Sequence, residues 1–577
     1  MTYQEAYDFW LTDDYFDAST KQELKSITSD DEIKERFYKD LEFGTAGLRG
    51  ILGAGTNRMN IYTVGKATQG FAQYLLESPS IDFRKGVAIA HDSRHMSQEF
   101  AIATALVFNA NGIETYVYDG LRPTPQLSYT VRKLGCAGGV MITASHNPPE
   151  YNGYKVYGPD GAQVNSPYDE EIIGYVNNTR IDQIKTMSLD DAKAQGLYHI
   201  LSEDLDQGFQ AECLAIAISP ELIKAQGDLP LVYTPIHGAG HIPTVNLLKA
   251  AGFTNVHVVA EQAEPNGDFP TVKYPNPEEE QVYDLGKALA DKIGADVIFA
   301  SDPDADRVGV VARDDNGAWY KLNGNQTGVL LTEYILTQLR AQGKLPQNAA
   351  VVTSIVSSDM TQVIAMANNV DCFEVFTGFK YIGELIKKFE TTGSHQFVYG
   401  FEESYGYLLG EHARDKDAVG IAMMVAEIAA YCKSRRITIP GYLNEIYLKY
   451  GFFKEETISL TLKGIAGLEK IGRIMDYFTA HVPTDIAGTK VVEYRNYKVG
   501  RLLKITETGE EAHDLDFPKS NVRSFKLADE SWICVRPSGT EPKLKLYIGV
   551  VRGTEEDAQV QLKKLADEVM RLVDNIE

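Results

Sequence analysis

Three times along this chain a short apolar run of strand type empties into a polar loop. The runs are GGVMITASHN at 138–147, ADVIFASDPDADR at 295–307 and HQFVYGFEESYG at 395–406. Around the first of them strand and helix patterns alternate. GVAIAHD (86–92) is a strand pattern, SQEFAIATALVFNANG (97–112) is helical and closes on Gly112, and IETYVYDG (113–120) is again a strand pattern. Alternation of this kind predicts α/β layers, and in open α/β sheets ligands bind beyond the carboxyl ends of the strands. The three polar loops are therefore read as corresponding points of three related α/β domains. At about 150 residues per domain, a chain of 577 residues has room for roughly four. The expected division is a helical extension over 1–40, then α/β domains over 41–208, 209–322 and 323–447. The last, 448–577, has the texture of a smaller α+β domain, with a helix in GLEKIGRIMDYFTAHV and strands around SWICVRPSGTEPKLKLYIGVV.

Charge and cysteine usage narrow the function classes. A net charge of -24 repels phosphate polymers and anionic membranes, so neither nucleic acid nor membrane is expected as a partner, and any phosphorylated ligand requires a local basic site. The five cysteines are scattered and form no CxxC pair, so neither a disulfide framework nor structural zinc is expected. The N-terminus is acidic, and no run of about 18 apolar residues occurs. A cytoplasmic location is expected.

The loops differ in chemistry. Asp302, Asp304 and Asp306 alternate, so a looping backbone can converge three carboxylates on one hard cation; a solvated acidic turn is the plain alternative. An EF-hand counted from Asp302 wants glycine sixth and glutamate twelfth, where the chain has Arg307 and Arg313. With few other ligands, the trio suits Mg²⁺ with a phosphate oxygen completing its shell. RPSGTEPKLK (536–545) offers Arg536, Ser538, Gly539, Thr540 and Lys545 to an anion, or simply turns between two strands. FGTAGLRG (43–50) offers Thr45 and Arg49 on a glycine-rich frame, and GFEESYG offers Glu402 and Ser404 for sugar hydroxyls or is a polar loop. At Ser145 there is no Gly-x-Ser-x-Gly, and on an extended chain the adjacent His146 side chain would point to the opposite face, so a serine hydrolase is not expected.

Taken in this order, FGTAGLRG, GAGTNRMN, TASHNPPEYNGYKVY, GFEESYGY and RPSGTEPKLKLY resemble the α-D-phosphohexomutase superfamily, over nearly the whole chain from about residue 40. Within it the resemblance is to the long bacterial phosphoglucomutase branch, which is similar to animal phosphopentomutase and glucose-1,6-bisphosphate synthase relatives. The resemblance implies three related α/β domains and a smaller C-terminal α+β domain around a central cleft. It implies that Ser145 carries a phosphate and that Asp302, Asp304 and Asp306 bind Mg²⁺ beside it, with Arg307 and Arg49 facing the transferred group. Glu402 and Ser404 would bind sugar hydroxyls, with Thr377, Lys380 and Lys416 in the same cleft. Arg536, Ser538, Gly539, Thr540 and Lys545 would hold the nonreacting phosphate. For the proton, the family offers Lys155 or His146; Lys155, set near other cations with a lowered pKa, would serve as base, or else would contact phosphate.

The implied activity is interconversion of glucose 1-phosphate and glucose 6-phosphate through glucose 1,6-bisphosphate, which is both activator and intermediate. Small sugar phosphates are the expected partners. Phosphomannomutase or phosphopentomutase activity, bisphosphate synthesis, and a noncatalytic sugar-phosphate sensor on the same fold are the alternatives.

Overall fold

In the computed structural model the described residues are 1–576 apart from 45–46, 463, 507–508 and 539–542. They form two compact units, one of Met1–Thr353 with Gly378–Pro440, the other of Ser354–Thr377 with Gly441–Glu577.

The first unit repeats one architectural idea. Its N-terminal sheet runs Leu48–Ile51, Tyr151–Tyr157, Gly138–Ile142, Val87–His91, Thr115–Val117, Tyr198–Ile200. The four strands from Gly138–Ile142 onward are parallel, whereas the first two are added antiparallel. The next sheet sets Val256–Val258, Leu231–Thr234 and Val297–Ser301 parallel and closes with antiparallel Val308–Arg313 and Trp319–Leu322. In the third region Ala349–Ser354 lies parallel to Gln396–Glu402, and Gly406–Leu409 follows antiparallel. Each of the three polar loops thus joins a parallel strand to its antiparallel neighbour, the correspondence expected from the sequence.

The central parallel strands of the first two sheets are apolar on both faces because helices cover both. Val87–His91, Gly138–Ile142 and Val297–Ser301 are buried throughout, as parallel strands between helical layers must be. The helix Ile61–Glu77, capped by the Asn60 side chain on the Tyr62 and Thr63 amides, packs Val64, Ala67, Phe71 and Leu75 onto the first sheet with Phe100 and Phe108 of Ser97–Ala110. Residues 1–40 form three short capped helices, Tyr3–Thr12, Ala18–Ser26 and Asp30–Phe37.

In the second unit an antiparallel sheet runs Phe452–Thr461, Lys543–Arg552, Trp532–Pro537, Arg523–Leu527, Thr489–Asn496, Arg501–Thr506, Gly509–Asp514. The helix Glu555–Asp574 buries Ala558, Leu562, Leu565, Val569 and Val573, a stripe at helical spacing. Among the described residues no helix is long and apolar enough to cross a membrane.

Candidate active site

The Ser145 loop is bent at the serine itself. Ser145 has φ 50°, a left-handed conformation that costs a non-glycine residue of order 1 kcal/mol or more. The bend is held from below. Thr143 Oγ1 accepts the Ser145 amide at 2.8 Å and donates to Asp92 Oδ2 at 2.7 Å. Arg94, buried beside Asp92 with Nε 3.3 Å from Oδ2, donates to the carbonyls of Ser145 (2.6 Å), Asn147, Pro148 (2.8 Å) and Tyr151 (3.1 Å). One guanidinium therefore fixes both limbs of the loop. Arg49 NH1 reaches Asn147 Oδ1 at 3.2 Å from the neighbouring strand.

The bend corrects one expectation. Because Ser145 is not extended, the side chains of Ser145 and His146 do not diverge: Oγ lies 3.1 Å from His146 Nδ1. Burial, with Arg307 and Arg49 nearby, holds the His146 pKa well below the ordinary histidine value, so the imidazole is neutral. The serine Oγ donates to Asp302 Oδ2 at 2.7 Å, which brings the first polar loop onto the second.

The ligand-bearing atoms of Asp302, Asp304 and Asp306 lie within 4.8 Å of one another, all buried. Ala305, with φ 49°, gives this loop its own left-handed turn. Asp302 Oδ1 accepts the backbone amides of Asp306 and Arg307. Asp304 Oδ2 accepts from Thr124 Oγ1 at 2.8 Å and from Lys155 Nζ at 2.8 Å, while Asp306 Oδ2 takes Lys155 at 3.1 Å and Lys416 at 3.2 Å. Asp304 Oδ1 and Asp306 Oδ1 are buried with no hydrogen-bond partner among the described residues. Two orphaned carboxylate oxygens beside Asp302 are an all-oxygen donor set, which fits Mg²⁺. A second cluster, Cys213, His412 and Asp417, needs no ion, since Asp417 Oδ2 already accepts from His412 Nε2 at 2.8 Å and from the Cys213 thiol.

The expected environment of Lys155 is also corrected. Burial works against its charge, but Asp304 and Asp306, the carboxylates with which Lys155 is paired, outweigh burial, so its pKa is raised, not lowered. Against the same cost of burial, Lys155, Lys416 and Arg307 hold Asp306 far below the usual carboxylate range. Asp302 goes the other way, raised by burial and by Asp304 and Asp306. Arg307 pairs with Glu278 at 3.0 Å, and its buried Nε has no hydrogen-bond partner among the described residues.

The third loop adjoins the second through a bridge between Arg307 and Gly406 and the Val308 amide on the Tyr405 carbonyl. Its left-handed residue is Tyr405, φ 67°. Glu402 is buried, accepts the Gly378 amide, and is pushed up to about 7 by burial despite nearby Lys416. Ser404 is half-buried at the loop tip. Lys380 pairs with buried Asp169 at 3.3 Å and lines a cavity of about 610 Å³ with Phe71, Tyr74 and Val164. Thr377, Arg536, Ser538 and Lys545 belong to the second unit. There Arg536 lies opposite Lys545 in the strand register, and the Ser538 amide donates to the Lys543 carbonyl at 2.8 Å. Thr45, Gly539 and Thr540 lie outside the described residues.

Sequence reasoning missed the parts that hold these loops. Arg94 works through carbonyls, which carry no side-chain signature. The segment TPIHGAG (234–240) packs under the metal loop. Ile236 and His237 are consecutive left-handed residues, φ 45° and 59°, and the Ala239 amide donates to the Pro303 carbonyl at 2.8 Å. Thr124 joins the first sheet's loops to Asp304 by amide and hydroxyl. A run of Gly, Pro and His at a strand's end was the available signal for TPIHGAG.

Family models match four successive stretches of the chain. The family model described as "Phosphoglucomutase/phosphomannomutase, alpha/beta/alpha domain I" matches residues 40–182, domain II matches 212–317, domain III 323–448, and the C-terminal domain 496–572. A phosphoglucomutase of Staphylococcus epidermidis RP62A is 37% identical over 543 residues, 94% of this chain and 96% of that one. One of Staphylococcus aureus MRSA252 is 37% identical over 528 residues, 90% of this chain and 92% of that one. The crystal structure of pp63/parafusin, a phosphoglucomutase from Paramecium, covers 93% of this chain and 95% of its own with a TM-score of 0.67 at 18% identity, a likeness of fold. With models matching all four regions and a relative matched nearly end to end, the chain belongs to the phosphoglucomutase/phosphomannomutase family.

Proposed function

We propose that the chain interconverts α-D-glucose 1-phosphate and α-D-glucose 6-phosphate, with Ser145 as phosphate carrier and glucose 1,6-bisphosphate as the intermediate that turns end for end. The observation that carries the reading is the Ser145 hydroxyl on Asp302, next to the orphaned oxygens of Asp304 and Asp306. Asp302, Asp304 and Asp306 would hold Mg²⁺, which when bound supplies positive charge to the phosphoryl oxygens.

In the forward half-reaction the bond between the Ser145 oxygen and phosphorus breaks as the sugar hydroxyl oxygen bonds to phosphorus, and the return half-reaction reverses this at the other end of the sugar. Charge gathers on the phosphoryl oxygens, where Arg49 and Arg307 face it, and positioning supplies most of the remaining rate. The sugar hydroxyl must give up its proton as it bonds to phosphorus, while the Ser145 oxygen must gain one as it hands phosphate over and lose it when it accepts phosphate. Neutral His146, with Nδ1 3.1 Å from Oγ, is placed to take and return it. Lys155 and Lys416 keep the carboxylate loop compact, while Glu402 and Ser404 orient sugar hydroxyls, and Thr377 and Lys380 are further substrate contacts. Arg536, Ser538, Gly539, Thr540 and Lys545 would hold the nonreacting phosphate, Thr45 would contact substrate, and the setting is the cytoplasm.

Intact-mass measurement with a coupled assay started by glucose 1,6-bisphosphate tests it. The wild type should carry one phosphate that Ser145→Ala lacks, and that variant should lose about 10³-fold or more in kcat. Wild-type turnover in Ser145→Ala would remove Ser145 as the carrier.

A further inference from the structure

Residues 1–39 precede the first matched family domain, which begins at residue 40, and the loop GAGTNRMN (53–60) has no part in the chemistry above. In the structure the two belong together. Glu23 Oε1 accepts the Ala54 amide at 3.0 Å and also the Arg36 guanidinium at 2.5 Å, and Arg36 NH1 donates to the Ala54 carbonyl at 3.1 Å. The Arg36 carbonyl accepts the Asn57 amide at 2.9 Å, and the Glu35 carbonyl accepts Asn57 Nδ2 at 3.0 Å. Arg58, itself buried, grips the Glu35 carboxylate with both terminal nitrogens. Thr56 Oγ1 donates to the Lys39 carbonyl at 2.8 Å, and its own carbonyl accepts the Leu41 amide at 2.7 Å.

The glycines of the loop are part of the fit. Gly55 has φ 129°, and a Cβ there would stand 2.8 Å from the Arg36 carbonyl oxygen. Beneath the polar contacts lies a small aromatic core. Trp10, 1% exposed, stacks on Phe16 at 4.3 Å and meets Phe37 and Tyr62 edge-on, and the Tyr62 hydroxyl donates to Asp17 Oδ2 at 2.9 Å. Tyr62 stands in the first turn of the helix Ile61–Glu77.

The gripped loop is wired to the transfer site. Met59 donates its amide to the Ile51 carbonyl at 2.8 Å, Gly53 to Met59 at 3.1 Å, and Leu52 to Glu150 at 2.8 Å. The strand Leu48–Ile51 pairs Arg49 with Gly153 on the strand that leaves the Ser145 loop. Loosening the loop would free one edge of that pairing, and with it the Arg49 guanidinium that reaches Asn147. We propose that residues 1–40 are a brace whose receptor is the GAGTNRMN loop, and that the brace holds the Arg49 strand in register beside the Ser145 loop. This rests on the reading of Arg49 as a transfer-site residue.

The test uses the full chain. In Glu23→Gln and in Arg36→Met, amide hydrogen exchange over 50–59 should quicken by about tenfold or more while 297–311 stays as in the wild type. In the same variants kcat should fall by about tenfold with KM for glucose 1-phosphate changed less than about threefold, because Arg49 acts on the transferred group and not on sugar binding. Glu35→Arg and Arg58→Glu should each quicken exchange, and the paired swap should recover most of the wild-type protection and kcat. Unchanged exchange over 50–59 in all single variants overturns the brace, and so does quickened exchange with unchanged kcat. Exchange is read without substrate, so a wild type lacking mutase turnover would instead sink the proposed function.

Discussion

At Glu402 burial and chemistry pull against each other. The carboxyl accepts one backbone amide and lies near Lys416, yet loss of water around it raises its pKa from 4.5 to about 7. The folded chain therefore keeps a proton there that the unfolded chain releases near pH 4.5, so folding takes up a proton between those values and stability falls as pH rises from 4.5 to 7. At about 1.4 kcal/mol per pH unit, the full effect is on the order of 3 kcal/mol, complete above pH 7. Glu402→Gln keeps an oxygen for the Gly378 amide and removes the titration. Denaturant melts should show the variant more stable than wild type by about 2–3 kcal/mol at pH 8 and level with it near pH 4.5. A constant offset at both pH values would place the raised pKa elsewhere.

At the scale of elements, the three strand-loop-strand units and their loops were legible because apolar runs, turn residues and clustered carboxylates are written in consecutive letters. The aspartate trio was legible for the same reason, whereas Ser145 was singled out only through the family resemblance. What surrounds them was not. Lys155 is paired with Asp304 and Asp306, about 150 residues later in sequence, and His146 is turned toward Ser145 by a left-handed serine that no letter announces. The support beneath the metal loop was illegible because it acts through backbone: Gly238 lies so close to Pro303 that a Cβ would stand 2.4 Å from its Cα and 2.6 Å from its oxygen. Gly238→Ala must push Pro303, and with it the spacing of Asp302 and Asp304. The expected result is a folded protein whose Mg²⁺ requirement rises about tenfold, read from activity against Mg²⁺ concentration, with circular dichroism unchanged. An unaltered Mg²⁺ requirement would show that the segment TPIHGAG does not set the loop.

For the molecule as a whole, an excess of 24 negative charges makes the local gathering of cations decisive: Arg49, Arg94, Lys155, Arg307 and Lys416 all stand within the first unit around two polar loops. That unit also owns the metal-ligating trio, whereas the second unit has its own core beneath the helix Glu555–Asp574. If each unit melts on its own core, a ligand that binds one of them stabilises that one alone. The three tryptophans divide conveniently, Trp10 and Trp319 in the first unit and Trp532 in the second. Mg²⁺ at about 100 times its Kd adds about 2.7 kcal/mol to the state that binds it. Calorimetry followed by fluorescence of single-tryptophan variants should therefore resolve two transitions. Mg²⁺ should raise by roughly 3–5 °C the one reported by Trp10 and Trp319 and leave the Trp532 transition in place. A single transition that moves as one would mean that the two units do not unfold independently, and a Mg²⁺ shift confined to Trp532 would remove the aspartate trio as the metal site.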